Sequence, residues 1–167
     1  GKAIIFDYSY RYFHGDGFGK DFRVLNLTQE SDSEQRNLLL AGNLLSFYEQ
    51  KRCFSENEES LREYNLEDPL WVFVGSRVNA VYRENKQPRS DVLTVAKFLN
   101  RFLSDRDWAE RSIDKLISGE TGLKNAYNED VFKERFVYLS EENIGPSEAY
   151  DDILRRVFRT HVGGGLH

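Results

Sequence analysis

Apolar positions change their rhythm several times along the chain, and each rhythm predicts an element. Lys2–Tyr8 places Ile4, Ile5, Phe6 and Tyr8 close together, as β-strands do. His14–Gly19 holds three glycines in five residues, a turn signal, and Asp21–Leu27 then alternates. A β-hairpin with an irregular loop is expected over 2–27. From about 32 to 53 the spacing becomes helical, with Leu38, Leu39, Ala41, Leu45, Tyr48 and Arg52 on one stripe and Ser31 and Glu34 as a capping box. A short surface helix is expected within 56–65. Asp68-Pro69 interrupts the chain before Leu70–Val74, a continuous apolar run closed by Gly75-Ser76. Such a run predicts a strand buried on both faces of a parallel sheet.

Beyond it, Asn79–Arg89 reads as a polar, basic loop, and Ser90 can cap a helix through Leu103. The apolar positions of that helix cover so wide a face that it must pack on more than one side. A helix at about 106–118 ends at Gly119, a suitable C′ residue. A shorter helix near 129–136 leads to a possible strand at Phe136–Leu139, and Pro146-Ser147 opens a last helix through Phe158. Helix therefore exceeds strand, and the fold class expected is α/β.

Composition narrows the setting. At 167 residues, with 40% hydrophobic, 14% aromatic and 31% charged side chains, the chain can bury a core and does not resemble a disordered one. No run of about 18 apolar residues suggests a membrane span, and no signal-peptide pattern opens the sequence. Cys53 is the single cysteine, which excludes a disulfide within the chain. A reducing, cytoplasmic location is expected. The lack of methionine, and a close at Gly163-Gly164-Gly165-Leu166-His167, favour a fragment of something longer.

Charge matters by its placement. The net −5 arises wholly within 54–68, where six acids face one base. Residues 77–101 carry Arg77, Arg83, Lys86, Arg89, Lys97 and Arg101 against Glu84 and Asp91, a surplus able to attract phosphate. Seven aromatics between residues 6 and 22 are interleaved with Arg11 and Lys20, a candidate strip for stacking on single-stranded nucleic acid. Aromatics on a hairpin are more often explained by cross-strand packing.

Other chemistry is sparse. Gly15–Lys20 fails as a phosphate loop, because His14 stands where the first glycine is needed and Asp21 follows the lysine. His14, His161 and His167 lack partners at metal-ligand spacing, so no metal site is expected. Asp151 and Asp152 fall in the first turns of the last helix, where acids favour its positive end. No catalytic constellation is visible. The exit of the 70–74 run, with Ser76 and Arg77, would lie at the carboxyl edge of a sheet, where open α/β domains bind ligands. A plain strand-to-helix connection fits this stretch as well.

Four phrases taken together resemble a known family. KAIIFDYSYRYFHGDGFGKDF (2–22), DPLWVFVGSRV (68–78), SDVLTVAKFLNRFL (90–103) and VFRTHVGGGLH (157–167) are similar, in the same order, to DEAD/DEAH-box superfamily-two helicases that serve as restriction (helicase) subunits of type III restriction-modification systems. The resemblance implies an internal segment of an ATP-dependent DNA helicase or translocase. PLWVFVGSRV looks like helicase motif IV, the first strand of a second RecA-like domain.

Several expectations follow from that resemblance. Residues 1–30 would be a β-hairpin-like connecting element, 31–68 a helical segment, 69–103 the start of the RecA-like domain and 104–167 a helical insertion. Ser76, Arg77, Asn79, Arg83, Lys86 and Arg89 would contact nucleic-acid phosphates. DNA, the remaining helicase domains and a methyltransferase subunit would be partners, with no membrane involved. The phosphate-binding loop, the acidic box and the arginine motif are missing from these residues, so ATP and Mg²⁺ would belong to the parent protein, with no cofactor and no catalytic residue in this chain. Two other readings remain: a non-catalytic adaptor that docks a partner through helices 32–53 and 90–103, and a phosphate-binding enzyme built on Gly15–Lys20.

Overall fold

Helices build the core, and their ends fall where side chains can take over backbone hydrogen bonds. The computed structural model describes residues 8–17, 32–74, 82–84, 87–89 and 91–161. In chain order the elements are α1 (Tyr10–Gly15), α2 (Ser33–Glu56), α3 (Glu58–Leu61) with a 3₁₀ turn at Arg62–Tyr64, β1 (Tyr82–Glu84), β2 (Gln87–Arg89), α4 (Asp91–Ser104), α5 (Arg106–Ser118), α6 (Val137–Glu141) and α7 (Pro146–Arg156).

The long helix α2 starts at a capping box one residue later than Ser31 and Glu34 suggest. Asp32 accepts from the Gln35 amide at 2.8 Å, and the Gln35 side chain accepts from the Asp32 amide at 3.1 Å. An ionised carboxylate is a stronger acceptor than a hydroxyl, and Glu34 is taken by Arg101 at 2.6 Å. Ser31 lies outside the described residues. Asp105 caps α5 through the Trp108 amide at 3.0 Å. At its other end Gly119 takes the left-handed conformation, φ 68°, while Gly119 and Glu120 amides reach Leu116 and Lys115 carbonyls. That is a Schellman ending, and it needs a residue tolerant of positive φ. Pro146 opens α7, where its missing N–H costs nothing.

Helix α5 packs against α7, and α2 lies along α4, α5 and α7. Their apolar sides meet in one cluster that includes Leu44, Leu45 and Tyr48 of α2, Phe98 and Phe102 of α4, Ile113 and Leu116 of α5, and Tyr150 and Ile153 of α7. The connection after α5 joins this core through Leu123, Phe132 and Phe136. Asp130 organises that connection: its carboxylate accepts from the Thr121 hydroxyl, the Gly122 amide and the Phe132 amide at 2.8, 2.9 and 3.0 Å. Phe132 in turn lies so close to Gly42 that a Cβ there would stand 2.3 Å from its ring.

The α/β expectation is overturned. Leu70–Val74 has no regular secondary structure and among the described residues forms no ladder, and Leu70, Val72, Phe73 and Val74 are exposed. An apolar run becomes a sheet strand only when a neighbouring strand completes its hydrogen bonds, and none does so here. Consequently no parallel sheet and no RecA-like domain is formed by the described residues. The expected N-terminal hairpin is not seen either. Residues 1–7 and 18–31 lie outside the described residues, while Tyr10–Gly15 is helical, closed by bonds such as Phe13 N–H to the Ser9 carbonyl at 3.1 Å.

The one ladder among the described residues lies elsewhere. Strands β1 and β2 pair antiparallel, Tyr82 with Arg89 and Glu84 with Gln87, in the stretch expected to be a basic loop. Phe136–Leu139 is not a strand: Leu139 is buried as part of α6, and Phe136 immediately precedes that helix. Residues 131–134 form turns instead of the expected short helix: the Lys133 and Arg135 amides close on the Asp130 and Phe132 carbonyls three residues back, and Glu134 takes a left-handed φ of 53° that a helix cannot continue through.

Candidate functional site

The deepest polar cluster joins α2 to α7. Asp152 is 3% exposed, and its carboxylate accepts from the Tyr48 hydroxyl at 2.9 Å, Arg156 Nε at 2.8 Å and Arg155 Nη2 at 2.9 Å. Arg52 donates to the Tyr48 oxygen at 3.1 Å and stands 3.6 Å from Asp152. Burial pushes the Tyr48 phenol up to about 12, with Arg52 opposing and Asp152 reinforcing. Every group in this cluster has a protein partner, so the arrangement fastens two helices. The helix-end explanation suffices only for Asp151, which pairs on the surface with Arg106 at 2.8 Å. Asp152 instead falls between Ala149 and Ile153 on the buried stripe of α7, and that helical spacing was the available signal.

Glu49 is the second buried acid. Arg135 meets its Oε2 at 3.2 Å, while its Oε1 has no partner. Burial raises its carboxyl, against the lowering effect of Arg135.

Two further groups of aromatic rings lie outside the fully buried cluster, the first packed against its edge through Trp71. Trp71 stacks on Phe47 of α2, with ring centres 5.7 Å apart and planes 22° apart, and Phe73 lies 4.4 Å from Trp71. Lys51 fastens the approach to this segment through Asp68 at 2.6 Å. Trp71 is thus an anchor, and the apolar residues on either side of it remain uncovered. On α1, Tyr10 and Tyr12 are about half exposed, and Tyr8 bonds Asp16 at 2.6 Å. That bond raises the Tyr8 phenol. Tyr10 and Tyr12 lie on a short helix, so cross-strand packing does not account for these two.

Of the six residues expected to touch nucleic-acid phosphates, Ser76, Arg77, Asn79 and Lys86 lie outside the described residues. The ladder brings the backbones of Arg83 and Arg89 together, Arg83 pairing with Pro88 and Arg89 with Tyr82. Gly15 is the last residue of α1, Asp16 and Gly17 form the turn after it, with Gly17 at φ 83°, and the rest of Gly15–Lys20 lies outside the described residues. Among the described residues no group of three or more His, Cys, Asp or Glu side chains could hold a metal ion, and Cys53 is a free, exposed thiol. No helix among them is long and apolar enough to cross a membrane. No protein-family model matches the chain, and neither a curated protein nor a solved structure matches it.

Proposed function

We propose that this chain is a non-catalytic segment of an ATP-dependent DNA helicase or translocase of the type III restriction kind, working in the cytoplasm. Its part is to hold the motor's pieces together, while ATP and Mg²⁺ are bound elsewhere in the parent. The observation that carries this reading is the uncovered Leu70–Val74 segment. Val74 is 93% and Leu70 82% exposed, in an irregular run that Trp71 fixes against a well-packed helical body. Isolated soluble domains seldom leave such a run bare, so its cover is expected from the remaining protein. The four phrases similar to the helicase family, one of which contains this run, are what favours a helicase as that protein.

The same bare run also favours a second reading, an adaptor that docks a separate protein. Purification of the longer protein encoded around this chain distinguishes the two. The helicase reading expects ATP hydrolysis that rises on adding DNA, and none from residues 1–167 alone. A longer protein without DNA-stimulated hydrolysis, or a gene encoding nothing beyond this chain, overturns it in favour of the adaptor.

A further inference from the structure

Half-buried arginines follow a rule in this fold, and one of them breaks it. Among the described residues the half-buried arginines are Arg36, Arg52, Arg101, Arg106, Arg135 and Arg156. Five have a carboxylate within 3.2 Å: Arg52 has Glu56, Arg101 has Glu34, Arg106 has Asp151, Arg135 has Glu49 and Arg156 has Asp152. Among the described residues Arg36 has no ion-pair or side-chain hydrogen-bond partner. A guanidinium with no carboxylate beside it keeps its planar fork of donors for an anion from outside.

The surroundings of Arg36 suit such an anion. It lines a groove of about 230 Å³ between the first turns of α2 and α4, together with Ser33, Asn37, Leu93, Thr94 and Lys97. Lys97 is exposed and likewise has no ion-pair partner. No acid among the described residues lines the groove. The two acids at the start of α2 are engaged elsewhere, Asp32 in its capping box and Glu34 with Arg101. Two cations from different helices thus face one cavity, with hydroxyl and amide groups between them. A planar guanidinium fork beside an ammonium is the donor set that holds phosphate oxygens.

We infer that the groove between α2 and α4 binds a phosphate group of a nucleic-acid strand through Arg36 and Lys97. The nucleic-acid source rests on the helicase reading; the phosphate chemistry rests on the groove. Bound there, a phosphodiester would be held by charge and by its non-bridging oxygens, without base readout.

Two measurements on the whole chain test this. The first titrates inorganic pyrophosphate and follows amide and guanidinium resonances. Saturable shifts at Ser33, Asn37, Thr94 and the Arg36 Nε–H are expected, and their loss in an Arg36→Gln/Lys97→Gln variant of unchanged melting temperature. No saturable shift at these groups overturns the site. The second measures affinity for a mixed-sequence oligonucleotide against salt, beside a control variant, Arg62→Gln/Arg159→Gln, with the same charge. The groove variant should bind about tenfold more weakly at low salt, with a salt slope smaller by about one. Equal losses in both variants, or none in either, overturn the nucleic-acid assignment. In the longer protein, DNA-stimulated ATP hydrolysis that the groove variant leaves unchanged would sink the groove and spare the helicase reading. Intact phosphate binding without any ATP hydrolysis would do the reverse.

Discussion

The Tyr48 hydroxyl donates a 2.9 Å hydrogen bond to Asp152, joining α2 to α7 across 104 positions of sequence. Both residues are buried, and the carboxylate is also shared by Arg155 and Arg156. Removing the acid should therefore hurt more than removing the hydroxyl. Asp152→Ala leaves several cations without their common anion and is expected to cost about 3 kcal/mol, whereas Tyr48→Phe removes one bond and should cost about 1 kcal/mol. Urea denaturation of the two variants measures this, and equal losses would show that the arginines do not depend on Asp152.

Gly42 and Phe132 make a second testable contact. An alanine methyl at 42 would sit 2.3 Å from the Phe132 ring, so the ring must move out of a core where it is 2% exposed. Gly42→Ala is expected to destabilise by about 1–3 kcal/mol, although alanine favours helix. Adding Phe132→Leu should recover part of the loss. If Gly42→Ala raises the melting temperature instead, the close packing of α2 on this loop is wrong.

These contacts show what periodicity alone could and could not reveal. Helices α4, α5 and α7 were legible because local signals agree: Gly119 and Pro146 sit at ends that the apolar spacing already marks. The seam of α2 was only partly legible. Its buried set includes Gly42, Leu44 and Glu49 beyond the expected stripe, since helices contact it from several sides. Leu70–Val74 misled because its composition is that of a strand, while strand formation depends on a neighbour that composition does not encode. The Arg36 groove was illegible for a related reason. Sequence shows a cation, but whether that cation has a carboxylate depends on which helices meet around it.

Glu49 gives the pH dependence. Burial holds its carboxyl above the ordinary glutamate value, with Arg135 opposing. A group whose folded pKa is raised binds its proton more tightly in the folded state. Its contribution to stability is complete below the unfolded value and is lost as pH rises through the folded one. Glu49→Gln, which never ionises, escapes that loss. The variant should therefore gain on the wild type as pH rises from 4 to 7, by up to about 1 kcal/mol, in denaturation curves taken at each pH. A difference that is constant with pH would mean that Arg135 fully offsets the burial.

The bare apolar run separates stability from function. Trp71 stacks on Phe47, whereas Val72 and Val74 are 63% and 93% exposed. Trp71→Ala should lose an aromatic contact of about 1 kcal/mol and free residues 66–74, seen as faster amide exchange there and little change within α5 and α7. Val72→Asp with Val74→Asp should leave the melting temperature of residues 1–167 within about 2 °C, because neither side chain belongs to the core. On the helicase reading, the same pair in the longer protein should lower DNA-stimulated ATP hydrolysis severalfold, since that reading has the rest of the motor cover this surface and charges would be forced into it. Unchanged hydrolysis together with unchanged stability would show that nothing in that protein covers the run. The adaptor reading, with Leu70–Val74 awaiting a separate partner, would then take its place.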